Sequence, residues 1–481
     1  MSHNIDTPAT ALHALHALTA QEALEGFASG AFSPVELTAD CLSRIERFNP
    51  VVNAFCHVDA DGAMAAAREA EARWQRGAPK GPLDGVPATI KDLTLTVGMP
   101  TRKGSTTTAE LTMATGPWEI DAPFTAMMRE AGAVLLGKTT TPEFGWKGVT
   151  DNPLYGITRN PWNPELTAGG SSGGAGAAAA LNLGLLHQGS DAGGSIRIPC
   201  GFTGTFGLKP TFGFIPQWPA SAMTTLSHLG PMTRNAADSA LMLSVIAQPD
   251  PRDGYAGPAC SLDWLAAPPA DLTGMRIAYS RDLGYVSVAP DILRAVDAAV
   301  AHLRALGAEV IECDPGFDSP QQTFDTLWHA GASRLLDGLD DAQIEALDPG
   351  LRRIAEHGKT LSLTDYLIAR EQRAALVARM AEFHREFDLL VTPTLPLAPF
   401  AAGHETPPGS GYVDWVDWTP FSYPFNLTQQ PAASLPCGLD DAGLPVGLHL
   451  VGPRYRDDRV MAVAQLLEAQ LPRLVPPMAA T

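Results

Sequence analysis

The chain has 481 residues, of which 45% are hydrophobic and 18% charged, an ordinary globular composition with enough length for a sizeable core. Its formal net charge of −19 leaves no basic footprint for nucleic acid, and an anionic membrane would repel it. Six cysteines (Cys41, Cys56, Cys200, Cys260, Cys313, Cys437) lie scattered with no C-x-x-C pair, so neither a zinc site nor a disulfide framework is indicated.

The first 26 residues contain no lysine or arginine, so the basic start of a secretory signal is missing. No apolar run is long enough to span a bilayer. These features predict a soluble, reduced, cytoplasmic protein. "SPVELTADCLSRIERFNP" reads as a helix with Ser33 as cap, Pro34 in the first turn and Glu36 completing a capping box. Leu37, Cys41, Ile45 and Phe48 give it one apolar stripe. A second, alanine-rich helix is predicted over about 59–76. "GVPATIKDL" and "GAVLLGKTT" read as buried strands.

The stretch "GGSSGGAGAAAALNLGLLHQGSDAGGSIRIPC" (169–200) follows, with Ser171-Ser172 and Ser195 each set among glycines. Beyond it, "MRIAYS", a helix over 291–307 and "AEVIEC" form a β-α-β pattern. Residues 315–380 read as charged helices laid over one edge. "FDLLVTPTLP", "PAASLPCG" and "LPVGLHLVG" are further strands. The alternation predicts an α/β fold with a mixed central β-sheet covered by α-helices on both faces. The expected organisation is an N-terminal helical segment over 1–58 and one domain over 59–481. Its catalytic core is placed at about 80–245 and a smaller helical insertion at about 310–385.

Four readings compete for the glycine-serine stretch. A phosphate loop needs a lysine after the glycines, and none is there. "GSSGG" fits G-x-S-x-G around Ser172, but the elbow of an α/β-hydrolase needs a strand before it, and "NPWNPELTA" does not read as one. No serine stands three residues before a lysine, so S-x-x-K is absent. The fourth reading is packing alone, the glycines letting a buried helix approach its neighbours.

Lys91 weighs against packing alone. It ends the apolar strand "GVPATIK", where desolvating an ammonium is costly. Burial is also what makes a lysine neutral near pH 7, and a neutral lysine can take a serine proton directly or through a relay. The rival bases are His228, in a turn-like segment, and His187, read as part of the Ala/Leu helix. Neither has a carboxylate beside it in sequence. No metal-ligand spacing and no dinucleotide fingerprint occur.

"LDGVPATIKDL", "GGSSGG", "GSDAGGSIRIP" and "GTFGLKPTFG" occur in that order. They are joined by "SPVEL", "RIERFNPVVNAF", "DNPLYGITRNPWNPELTAGG", "LSHLGPMTRNAADSALML", "PFNLTQQPAASLPCG" and "GLPVGLHLVG". Together these motifs resemble the amidase signature family, serine hydrolases with a Ser-cisSer-Lys triad. The resemblance covers most of the chain and is weakest over 310–385. It implies Ser195 as nucleophile, Ser171 as bridging serine after a cis peptide, and Lys91 as general base and acid. It also implies an oxyanion hole from the backbone N–H groups of Ala192, Gly193, Gly194 and Ser195, with Ser172, Asp191 and Arg197 in support. No cofactor and no metal are implied.

Four departures from the family pattern stand out. The nucleophile loop reads "SDAGGS" in place of "TDTGGS". Phe214, Gln429 and His449 replace a common arginine, glycine and glutamine. The last three point to an unusual substrate preference.

Two functions follow from the resemblance. The first is an amidohydrolase acting as a monomer or homodimer on a small-molecule amide, ester or carbamate. The second is an amidotransferase component that passes ammonia to a tRNA-bound acyl group with partner subunits. The aromatic run over 412–425, with Phe144, Trp146, Trp328 and Trp418 as candidate pocket residues, suits an apolar aryl or alkyl acyl amide.

Overall fold

The computed structural model describes residues 15–111, 116, 119–257 and 259–480. The early helix forms over Pro34–Val52, and its capping box closes reciprocally between Ser33 and Glu36. Its stripe of Leu37, Cys41, Ile45 and Phe48 is buried. The alanine-rich helix runs Ala60–Gln75, with Asp59 as its cap. No helix among the described residues is long and apolar enough to cross a membrane.

Among the described residues, eleven strands make one mixed sheet. At one end Phe55–Val58 pairs antiparallel with Val134–Thr139, which runs parallel to Pro87–Lys91, which runs parallel to Leu186–Asp191. The centre is antiparallel: Leu186–Asp191, His228–Thr233, Phe206–Lys209, Ala432–Leu439, Pro445–Val451 and Leu389–Pro393. The far end is parallel again, through Arg276–Tyr279 to Glu309–Glu312. The predicted β-α-β unit is present, its helix spanning Pro290–Ala305.

Helices cover both faces, and the alternation along Pro445–Val451 shows it. Val446, Leu448 and Leu450 enter the largest core cluster, with Ile292, Val296 and Val460 from two helices. His449 points the other way, onto the helix Arg197–Thr203. A second apolar cluster lies under the helices Gln321–Ser333, Pro349–Thr360 and Leu363–Phe383.

Three details differ from the sequence reading. The N-terminal segment does not end outside the main body, because Phe55–Val58 is a strand of the large sheet. The segment before "GGSSGG" does hold a strand, Asn163–Thr167, but it pairs with Arg159–Asn160 in a separate two-stranded ribbon. His187 is not helical. The Ala/Leu helix ends at Ala180, and His187 lies on the strand Leu186–Asp191.

Candidate active site

Lys91 ends its strand at the C-terminal edge of the sheet, beside the end of the parallel strand Leu186–Asp191. Its backbone N–H donates to Gln188 Oε1 at 3.0 Å, which ties the two strand ends together. Its side chain is fully buried among hydroxyls. Nζ lies 2.7 Å from Ser171 Oγ, 2.8 Å from Ser172 Oγ and 2.9 Å from Ser190 Oγ. Burial holds the Lys91 pKa well below the ordinary lysine value, and the Asp191 charge opposes this only in part. Asp92, the next residue in the chain, serves another lysine. Its oxygens accept the N–H groups of Arg102 and Gly104, and it faces Lys138.

The hydrogen bonds around Lys91 can be counted. A neutral amine has two N–H groups and one lone pair. Ser172 spends its own proton on the Ser190 carbonyl, 3.2 Å away, so it accepts from Lys91. All three hydroxyls stand at donor distance from Nζ. A neutral Lys91 that donates to Ser172 and Ser190 has its lone pair free for the Ser171 hydroxyl.

The Gly170–Ser171 peptide is cis. Ser171, Ser190 and Ser195 all line one cavity. Ser172 does not line it and is fully buried, so it cannot present its hydroxyl to a substrate as an elbow nucleophile does. Its backbone N–H instead donates to the Ser195 carbonyl at 3.2 Å, joining the two serine loops.

The Ser195 loop is held from beneath. Arg197 donates to both oxygens of Asp191, at 2.9 and 3.0 Å. Asp191 also accepts the N–H groups of Gly194 at 2.7 Å and Ile196 at 3.2 Å, and the Asn426 amide at 2.8 Å. Burial pushes the Asp191 pKa up, but the charge and hydrogen bonds of Arg197 outweigh it and hold the carboxyl well below its usual range. The Gly194 N–H is thus committed to Asp191. Of the four amides expected around an oxyanion, those of Ala192, Gly193 and Ser195 remain.

Gly193 and Gly194 are required by contact. A Cβ on Gly193 would stand 2.7 Å from Trp415 and 2.8 Å from Phe324. Gly194 has φ 136°, and a Cβ there would meet Ser422 Oγ at 2.5 Å. Ser422 Oγ donates to the Gly193 carbonyl at 2.6 Å. Trp415 and Ser422, both within 412–425, therefore back this loop. Trp146 and Trp418, expected along the pocket, do not line it. Both are fully buried in the second core cluster, Trp418 stacked on Phe202. Phe144 and Trp328 do line the cavity.

Neither histidine competes with Lys91. His187 is bound by Thr89 Oγ1 and the Gly184 carbonyl, and burial pushes its pKa down to about 3. His228 Nδ1 is within reach of the carbonyls of Leu226 and Asp191, and burial holds its pKa well below the ordinary value.

The departures have plain places. His449 Nε2 accepts from Arg197 at 3.2 Å, so it is part of the support beneath the loop. Gln429 adopts φ 60° and donates to the Thr225 carbonyl. Phe214 packs on Trp264 and Tyr455. None of the three lines the cavity. Sequence reasoning passed over Ser190, Asn426 and Ser422. Ser190 stands beside Asp191 in "GSDAGGSIRIP". The other two carry no local signal, since they reach the loop only through the fold.

The family model described as Amidase matches residues 36–461. An acylamidase of Rhodococcus erythropolis is 37% identical over 465 residues, covering 95% of this chain and 96% of that protein. A glutamyl-tRNA(Gln) amidotransferase subunit of Chloroflexus aurantiacus is 36% identical over 497 residues, covering 96% and 99%. Among solved structures, a bacterial aryl acylamidase superposes with a TM-score of 0.87 at 29% identity, over 95% of this chain and 96% of that one. A 6-aminohexanoate cyclic dimer hydrolase gives 0.86 at 27% identity, over 96% and 99%. With this fold, and with likeness along nearly its whole length, the chain belongs to the amidase signature family and is an amide hydrolase.

Proposed function

We propose that the protein hydrolyses apolar aryl or alkyl acyl amides through a Ser-cisSer-Lys mechanism and an acyl-enzyme. The observation that carries this is the 2.7 Å contact between a buried, depressed-pKa Lys91 and Ser171, on a cavity shared with Ser195. Lys91 draws the Ser171 proton, and Ser171 draws the Ser195 proton as its hydroxyl swings toward Ser171. Ser195 Oγ attacks the carbonyl carbon. The oxyanion is met by the N–H groups of Ala192, Gly193 and Ser195, the three not engaged by Asp191. The proton returns through Ser171 to the departing nitrogen, because an amine anion is a very poor leaving group. Water then cleaves the acyl-enzyme by the same route.

The cavity wall supports the substrate class. Leu93, Leu95, Phe144, Trp218, Met223 and Trp328 give it an apolar lining suited to an acyl chain or aryl ring. Esters and carbamates share the acyl-transfer geometry and are secondary substrates of the same site. A panel of anilides, alkyl amides, esters and carbamates tests this reading. Faster turnover of a small polar amide than of every anilide would overturn it.

The likeness to a glutamyl-tRNA(Gln) amidotransferase component supports a second reading, a glutaminase working with partner subunits. Glutaminase activity appearing only after partner subunits are added would establish it. Anilide turnover by the purified chain, at the elution volume of a monomer or homodimer, would refute it.

A further inference from the structure

We propose that Lys103 selects substrates carrying a carboxylate set apart from the scissile amide by an apolar span. This rests on the amide-hydrolase reading of the same cavity. Among the described residues lining that cavity, Lys103 is the sole ionisable one. The other lining residues are apolar or neutral: hydroxyls, the Gln217 amide, and side chains such as Leu95, Trp218 and Met223.

The place of Lys103 is built rather than incidental. It adopts φ 55°, in the left-handed region. Its N–H donates to the Asp92 carbonyl at 3.1 Å, and its own carbonyl accepts the Phe144 N–H at 2.8 Å. The flanking N–H groups of Arg102 and Gly104 are both held by the Asp92 carboxylate, at 3.0 and 3.3 Å. One turn thus fixes Lys103 to the residue after Lys91 and to Phe144 on the cavity wall.

No side-chain hydrogen bond or ion pair within contact distance engages the Lys103 ammonium among the described residues. Asp92 attracts it only from beyond contact. An ammonium in a mostly apolar cavity gains most from an anion that arrives with the ligand and replaces lost water. A carboxylate accepts its N–H groups directly, while the apolar part of the substrate covers Leu95, Trp218 and Met223. In a protein of net charge −19, this is a local preference set against the long-range field.

Three anilides test the proposal: hexananilide, adipic acid monoanilide with a carboxylate on the acyl side, and N-hexanoyl-4-aminobenzoate with one on the amine side. At least one charged substrate should exceed the neutral one in kcat/KM by about 10- to 100-fold, mainly through KM. Lys103→Met should abolish that ratio and Lys103→Arg should keep it. Comparing two substrates on one variant cancels any loss of folded enzyme. A ratio near one in the unaltered enzyme, or one that persists in Lys103→Met, overturns the proposal and leaves the amide-hydrolase reading standing. Calorimetry on Ser195→Ala protein, with and without Lys103→Met, separates the two further. Charge-selective binding that needs Lys103 supports the proposal even where no anilide is turned over, and charge-blind binding overturns it.

Discussion

Arg197 grips Asp191 with two parallel hydrogen bonds, of 2.9 and 3.0 Å, and solvent reaches neither side chain. The pair lies directly beneath the Ser195 loop, and Asp191 extends it into the Gly194 and Ile196 amides. Asp191→Asn should therefore cost roughly 3–5 kcal/mol, because Arg197 is left as an uncompensated buried charge. Since the folded-state pKa of Asp191 is depressed, its contribution is present above the unfolded carboxylate pKa and fades only as strong acid titrates it. Chemical denaturation at pH 7 and at pH 3 measures this, and the gap between variant and parent should narrow at the lower pH.

Ser195→Ala should fold with an unchanged melting temperature and lose about 10⁴–10⁶ in turnover. A serine-directed phosphonate should add mass to the peptide containing Ser195. Mass on Ser172 instead would restore the elbow reading.

Activity should rise with pH along a limb set by Lys91 and then level off. Its pKa is lowered from 10.5, so the limb lies below the ordinary lysine range. Lys91→Ala should remove the limb and most of the rate. Lys91→Arg should not rescue it, since arginine stays charged. Amides should suffer more than matched esters. The same shift has a stability sign. Between the depressed folded value and the unfolded one, the unfolded chain holds the extra proton, so Lys91 opposes folding and its cost shrinks as pH rises. Near-normal amide turnover by the arginine variant would eliminate Lys91 as base.

Gly193→Ala should lower kcat far more than it lowers stability. The new methyl meets Trp415 and Phe324, rings fixed in a packed aromatic cluster, so the loop must shift and not the wall. A loss of about 10²-fold in kcat is expected, as for the removal of one oxyanion donor. Steady-state kinetics beside a thermal melt separates the two effects.

Much of the candidate site was legible before the fold was known, though not all by the same argument. The buried lysine at a strand end pointed to Lys91, yet Lys138 and Lys209 are equally buried on strands, with their pKa values also lowered by burial. Lys138 donates to the Thr94 carbonyl and the Thr101 hydroxyl and to none of the serines around Lys91. Burial alone does not separate the three. The motif order around Lys91 does. Local pattern also placed the capped helix at Ser33 correctly, because capping is decided within four residues. It misplaced His187, since a short strand after a turn shares the apolar composition of the helix before it. It could not sort Trp328 from Trp146 and Trp418, because whether a tryptophan faces a cavity or a core depends on segments hundreds of residues away.

Part of the cavity wall comes from stretches that carry none of the proposed relay residues. Lys91, Ser190 and Asp191 sit on adjacent strand ends, whereas 217–223 and the helical region around Trp328 and Leu335 supply wall alone. Grafting 217–223 and 321–336 from a relative should therefore transplant its selectivity onto this scaffold without redesign of the reactive centre. Such a chimera would make this protein a chassis for tailored amide-cleaving biocatalysts.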